Sequence, residues 1–483
     1  MSMKKKEVKK RPNKVVETVK TFLLALLVIT LVLLVALYIS GIRGFEKRAA
    51  EGADEGFNKL WSAQGGVEPY GLESSHLIPE FVGYKQASFD KPRGCVGNTG
   101  DTSALYDLVK PCILELFGSN SVCSALDHTA GKELFRTAQL GDEFIYIRYH
   151  VPVMYQMIYA YSAGKLTVAE DEVAVGASGP VGAYVSELII VSDKSLGAKL
   201  TVAYAHDADG NYYEFRPKEY TAESSFYISK LANNDDGITT CDFSFLHSDT
   251  FDGAEPMIDA ELLCGDIVPS VVSLNDEMLR DALLRLLGYN PNKLDAYDDK
   301  GADVYIDSHS QLRLGGGSVS FVTADATMGE YEELRGIAVD TLLGYTLDSA
   351  PTLFDKLTAA DNLIRRLGEI SPSLIGGEAS LCLGDVYRDG ELLVVEYFPT
   401  YNNIRIGTNV QLRVVFAKNT VCEFELFPVT VDIGETETLV PRPYFIADQM
   451  VGVGLIAEDA PADSLRLCYT GGSAEWSAVM KND

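Results

Sequence analysis

The run Asp307-Ser308-His309-Ser310 places a carboxylate, hydroxyls and an imidazole side by side, the group types of a nucleophilic relay. Successive side chains on a strand point to opposite faces, so immediate neighbours cannot pass a proton along; the run reads as polar residues on an exposed face. There is no Gly-x-Ser-x-Gly elbow and no Ser-x-x-Lys followed by its partner motifs. Asp207-Ala208-Asp209-Gly210-Asn211 opens like a calcium loop, but the twelfth position is Lys218 where a bidentate glutamate belongs. Asp209-Gly210 is therefore a hairpin turn, and Asp389-Gly390 and Lys418-Asn419 are expected to turn the chain in the same way. Gly315-Gly316-Gly317 precedes no Gly-Lys-Ser or Gly-Lys-Thr and opens no helix, so it too is a hairpin loop. His76, His128, His150, His206, His247 and His309 include no pair at helical spacing, and no His-Glu-x-x-His occurs. Acid pairs such as Glu332-Glu333 and Asp298-Asp299 are expected as solvated surface in a chain with 69 acidic residues. The reading is of a non-enzyme with no catalytic residues, no metal site and no cofactor.

What positions the chain is the stretch Thr21–Ser40, TFLLALLVITLVLLVALYIS, which carries no charge. Twenty residues at about 1.5 Å each span about 30 Å, the hydrocarbon thickness of a bilayer. Before it stand eight basic residues against Glu7 and Glu17, a flank of +6 that holds the N-terminus in the cytoplasm. The apolar core is longer than the roughly 7–15 residues of a cleaved signal, so residues 21–40 are read as a retained transmembrane helix behind a basic tail, 1–20. One face of that helix carries Thr21, Ala25, Ile29, Val32 and Ala36, within an arc of about 80° at about 100° per residue, where another helix could approach closely.

The net charge is −28, so with +6 before the span the remainder carries −34. Such a surface is repelled by phosphate backbones and excludes nucleic acid as a partner. All eight cysteines lie beyond the span without a Cys-x-x-Cys pair. Cys241 and Cys422 sit in apolar strand patterns as small buried hydrophobes, and the close group Cys95, Cys112 and Cys123 is the expected place for a bridge.

Residues 41–69 read as a juxtamembrane linker. In DTSALYDLVKPCILELFG a helix is expected, interrupted at Pro111. From there to about residue 268 the chain is read as a strand-rich domain, 70–268, including DEFIYIRYHVPVMYQMIYAYS and SFYISKL among its strands. At LNDEMLRDALLRLLGYNP the period changes to that of a helix, with Met278, Leu279, Ala282, Leu283, Leu286 and Leu287 on its apolar stripe. A second domain, 269–483, follows: paired strands, helices over Met328–Leu343 and in PTLFDKLTAADNLIRRLG, further paired strands, a helix-like RPYFIADQMVGVGLIAE and a closing strand. The fold class is α+β, mostly antiparallel sheet with packed helices and helix-plus-hairpin units in the C-terminal half.

In that half ALLRLLGYNPNKLDAYDDKGADVYIDSHSQLRLGGGSVSFVTA resembles a block of the YycH and YycI family. It has the helix ending in a Gly-aromatic-Asn-Pro turn, the aspartate-rich loop, a Val-Tyr strand and a Leu-Arg strand. EASLCLGDVYRDGELLVVEYFPTYNNIRI with LRVVFAKNTVCEFEL resembles the family's long paired strands, and DSLRLCYTGGSAEW its closing strand and Trp. The resemblance covers about residues 275–480; residues 45–268 carry no such block. Where the family's strand tends to carry a glycine, this chain has Thr400-Tyr401-Asn402-Asn403. The resemblance implies a bacterial, single-pass membrane protein with an extracytoplasmic α+β region. It implies a regulator of a WalK-like sensor histidine kinase of cell-wall turnover, working through span and outer domain, with a paralogous regulator as a further partner. The dense tyrosines from Tyr146 to Tyr161 and Tyr212 to Tyr220 leave a second reading open, a cell-envelope ligand-binding or scaffold protein with an aromatic groove, and an envelope hydrolase is a third.

Overall fold

The computed structural model describes residues 74–480, apart from 165–174, 177–182, 194–199, 208–209, 219–223, 234–236, 248–253, 275, 288, 290–295, 307–308, 324–335, 348, 408 and 447–461. The chain divides into two compact units, Met1–Gly65 and Gly66–Asp483. The first, with the expected span at 21–40, lies outside the described residues. Among the described residues no helix is long and apolar enough to cross a membrane.

The second unit is mixed α+β. Its first sheet takes β1 (Phe81–Lys85), β2 (Arg93–Cys95), β3 (Ser121–Leu126), β4 (Phe144–Met154), β5 (Val175–Gly176), β6 (Tyr184–Asp193), β7 (Leu200–His206), β8 (Tyr212–Pro217), β9 (Cys241–His247) and β10 (Ala254–Ile258). Their order is β10-β9-β2-β1-β4-β6-β7-β8-β3-β5, antiparallel except where β3 meets β5. β11 (Leu262–Val271) leaves that sheet and pairs with β22 (Val429–Val440) in a separate ribbon.

The second sheet takes β12 (Ala296–Asp299), β13 (Ala302–Ile306), β14 (Ser310–Gly315), β15 (Ser318–Thr323), β16 (Ile337–Ala338), β17 (Ser380–Asp389), β18 (Leu392–Tyr401), β19 (Ile404–Ile406), β20 (Leu412–Ala417), β21 (Thr420–Leu426), β23 (Ala462–Thr470) and β24 (Ser473–Met480). β19 and β23 pair in parallel. Residues of both sheets and of the ribbon share one core, from Phe81, Tyr146 and Phe243 to Cys264, Val431, Leu467 and Trp476.

Tight turns fall where the backbone takes positive φ, at glycine, asparagine and lysine. Gly316 and Gly317, at φ +64° and +79°, close β14 onto β15, and Lys418 at +50° precedes Asn419 between β20 and β21. Between β18 and β19 the pair Asn402-Asn403 makes the turn at +49° and +60°, because asparagine tolerates the left-handed region better than other side chains.

The expected break at Pro111 does not occur: α1 runs from Thr99 to Phe117 straight through it. The buried face Leu105, Tyr106, Val109, Cys112, Ile113, Leu116 and Phe117 continues across the proline, which sits on the exposed side, where water can satisfy the freed carbonyl. α2 spans His128–Gln139. Two expected strands are helices: α3 (Tyr155–Ala163) follows directly on β4, and α4 (Ser224–Asn233) buries Tyr227, Ile228 and Leu231, a helical spacing inside a β-like composition.

α5 (Glu277–Leu286) is capped by Asp276, whose carboxylate accepts from the amides of Met278 and Leu279, but its buried side is Leu283 and Leu284. Met278, placed on the stripe by sequence, is 82% exposed. Of the helix expected at 328–343, the described residues form strand β16 at Ile337–Ala338 and only then the short helix α6 (Val339–Leu343); of that expected at 442–458 a helical turn at 443–446 is described. α7 (Leu353–Ile370) begins at a reciprocal cap between Thr352 and Asp355.

Candidate functional site

Arg148 stands in the middle of the apolar strand β4, with its side chain 2% exposed. Its guanidinium pairs with Glu255 of β10 and lies 3.2 Å from Glu80, the residue before β1. Both carboxylates are as buried as the arginine. Arg466 of β23 reaches Glu80 at 3.8 Å and also donates to the carbonyl of His150, so the cluster joins the two sheets. Desolvation pushes the Glu80 carboxyl up, but Arg148 and Arg466 together hold it below the ordinary range. Glu255 sees Arg148 and the like charge of Glu80, and there desolvation prevails and the carboxyl is raised. Glu187, opposite Arg148 on β6, is pushed up to about 7 by desolvation and by Glu255, against the pull of Arg148.

The pairing of β4 with β6 is interrupted between Arg148 and Val153, and His150 lies in that interruption. Its Nε2 is 3.1 Å from Oδ1 of Asn403, and burial lowers the imidazole to about 4, outweighing Glu80 and the Asn403 hydrogen bond. The Asn403 amide nitrogen donates to the carbonyl oxygens of Pro79 at 2.6 Å and Glu80 at 3.4 Å. Three residues upstream of Pro79, the Nδ1 of His76 is 3.1 Å from the buried carboxylate of Asp361 on α7, which also accepts from Tyr397 at 2.7 Å and Tyr161 at 3.4 Å. The Cys382 thiol donates to the His76 carbonyl at 3.3 Å. Residues 76–80, the lead-in to β1, are thus held by Asp361, Cys382, Asn403 and Arg466, all from the C-terminal half. Every acid of the cluster is committed to a fixed cation or hydroxyl, an arrangement that joins elements and fixes register.

The residues singled out by sequence fall elsewhere. Thr21, Ala25, Ile29, Val32 and Ala36 lie outside the described residues, as do Asp307, Ser308, Glu332 and Glu333. Ser310, expected on an exposed face, is buried and shares a 2.7 Å hydrogen bond with the hydroxyl of Tyr289. Asp207 closes its hairpin by accepting from the Asn211 amide at 2.7 Å and from Asn211 Nδ2 at 2.8 Å. Asp299 pairs with Arg313 at 2.7 Å. All eight cysteines are free thiols, so no bridge links Cys95, Cys112 and Cys123; each sits in its own apolar surroundings. Tyr146, Tyr149, Tyr155, Tyr161, Tyr212 and Tyr213 are buried core residues, which removes them as the wall of an open aromatic groove. Among the described residues no group of His, Cys, Asp and Glu is placed to hold a metal ion. The Arg148 cluster was missed by sequence reasoning; its signal was a charged residue in the otherwise apolar run Ile145–Val153 of a long strand.

The fold defined by these two sheets is that of a YycH-like α+β protein. The chain is similar to the crystal structure of YycH from Bacillus subtilis, with a TM-score of 0.52 and 10% sequence identity, over 87% of this chain and 100% of that one. The likeness reaches well beyond residues 275–480, into the half where the sequence alone shows no familiar block. No protein-family model and no curated protein sequence matches the chain.

Proposed function

We propose that the protein is a non-catalytic, extracytoplasmic regulator of a two-component sensor histidine kinase of the cell wall, held in the bacterial cell membrane by residues 21–40. The observation that carries this reading is the YycH-like fold over 87% of the chain. It is supported by the resembling blocks between residues 275 and 480 and by the charge and length of the expected span. The portions 70–268 and 269–483 act together as one outer unit, and a WalK-like kinase is the partner, with a paralogous regulator as a further one. Contact is made by the outer region and, in the membrane, by the face Thr21, Ala25, Ile29, Val32 and Ala36. Regulation requires that the protein bind the active and inactive kinase with different affinity, since equal binding shifts no equilibrium.

Reversible cross-linking of the full-length protein in its native membrane, followed by identification of what is captured, tests this. Recovery of a sensor histidine kinase, reduced in a variant carrying Ala25→Leu and Ala36→Leu, is the expected result. Capture of wall-synthesis enzymes or glycan with no kinase overturns the reading.

A further inference from the structure

The lead-in to β1 is held differently from the sheets it joins. Of residues 76–79, Leu77 and Pro79 are buried and the His76 ring packs edge-on against Tyr397; the rest of the hold is polar: His76 to Asp361, the His76 carbonyl to Cys382, and the Pro79 carbonyl to Asn403. Groups held by hydrogen bonds exchange their partners for water at a modest net cost, whereas β1 sets Phe81, Val82 and Tyr84 into the core.

Two of the receiving groups keep other partners. Asp361 keeps the hydroxyls of Tyr397 and Tyr161 when His76 leaves, and Asn403 keeps His150 when Pro79 leaves. Release has a defined end at Glu80, because pulling that carboxylate away would leave the buried Arg148 with Glu255 as its ion-pair partner and take Glu80 from Arg466.

We propose that residues 74–79 form a releasable strap, hinged at Glu80, that undocks from the C-terminal half while both sheets stay folded. A link between strap release and kinase control rests on the function proposed above; the strap itself does not.

Amide hydrogen exchange on the full-length chain in lipid nanodiscs tests the strap without a kinase. The amides of residues 75–78 are expected to exchange at least tenfold faster than those of Leu393–Tyr397 in β18, a margin of about one hydrogen bond. His76→Ala should speed residues 75–78 by about a further tenfold and leave β18 unchanged. Asn403→Gly, which keeps the positive φ of its turn and deletes the amide, should do the same. Exchange of 75–78 in step with β18 in the unaltered chain, equal acceleration of both by either folded variant, or no acceleration by either variant overturns the proposal.

Discussion

His150 and Asn403, 253 residues apart, share a buried hydrogen bond of 3.1 Å, and the same asparagine amide caps the chain just before β1. An asparagine whose backbone is needed for a turn thus has its side chain used to tie one sheet to the other.

The pH dependence of this junction is expected to be nearly flat, because two shifts oppose each other. Glu187 is raised from 4.5 to about 7, so its contribution is full below about pH 4.5 and is lost as pH rises through 7. His150 is lowered from 6.5 to about 4, so its contribution is present above about pH 6.5 and is lost as pH falls through 4. Glu187→Gln should unmask the histidine, with stability falling by about 2–3 kcal/mol from pH 6.5 to 4. His150→Gln should unmask the half-buried Glu187, with stability rising by about 1–2 kcal/mol from pH 7 to 4.5. Urea unfolding across pH on detergent-solubilised protein reads both slopes, and parallel slopes in the two variants would contradict the assignment.

Arg148→Met should cost about 3–5 kcal/mol, since it leaves Glu80 and Glu255 buried without their shared cation. Adding Glu80→Gln and Glu255→Gln to the same chain should recover most of that loss, although three charged groups are then gone. A denaturation midpoint for the triple variant no higher than that of Arg148→Met would show that the cluster acts through packing alone.

Pro111→Ala should stabilise by about 1–2 kcal/mol, because α1 already runs through the position and alanine restores an intrahelical donor on the solvent side. The comparison is a pair of urea midpoints at one pH, and a lowered midpoint would mean that the proline ring is needed for packing.

The thiols supply a separate check. In the native protein Cys241 and Cys468 should react with a small maleimide, whereas Cys95, Cys112, Cys123, Cys264, Cys382 and Cys422 should stay protected until unfolding. Burial pushes Cys95 and Cys123 up to about 12, which leaves almost no thiolate at neutral pH. Mass-spectrometric counting of labelled sites before and after denaturation measures this, and a disulfide among Cys95, Cys112 and Cys123 would appear as missing label in both states.

What could be read from the sequence was local. β6, β7, β8 and β20 announce themselves by runs of Val, Ile, Tyr and Phe between turn residues, and α7 lies where a helix is expected in PTLFDKLTAADNLIRRLG. α3 and α4 were misread because tyrosine- and isoleucine-rich text favours strands, and only the spacing of Tyr227, Ile228 and Leu231 hinted otherwise. Pro111 misled because its cost applies to a helix in isolation, and the packed face outweighs it. The Arg148 cluster and the Asp361 site were illegible for a plainer reason. Their partners lie far apart in the chain, and only the sheet order brings them together.

The strap's distant partners also set an order of assembly. A chain made from its N-terminus exposes Glu80 early and Arg466 about 390 residues later, a delay of roughly 20–80 s at ordinary rates of synthesis. Arg148 can meet Glu255 well before then, while Asp361, Cys382, Asn403 and Arg466 arrive in turn. Residues 76–80 are therefore among the last to be secured, and a chain truncated before β23 would keep the early half of the junction and lack its final clasp.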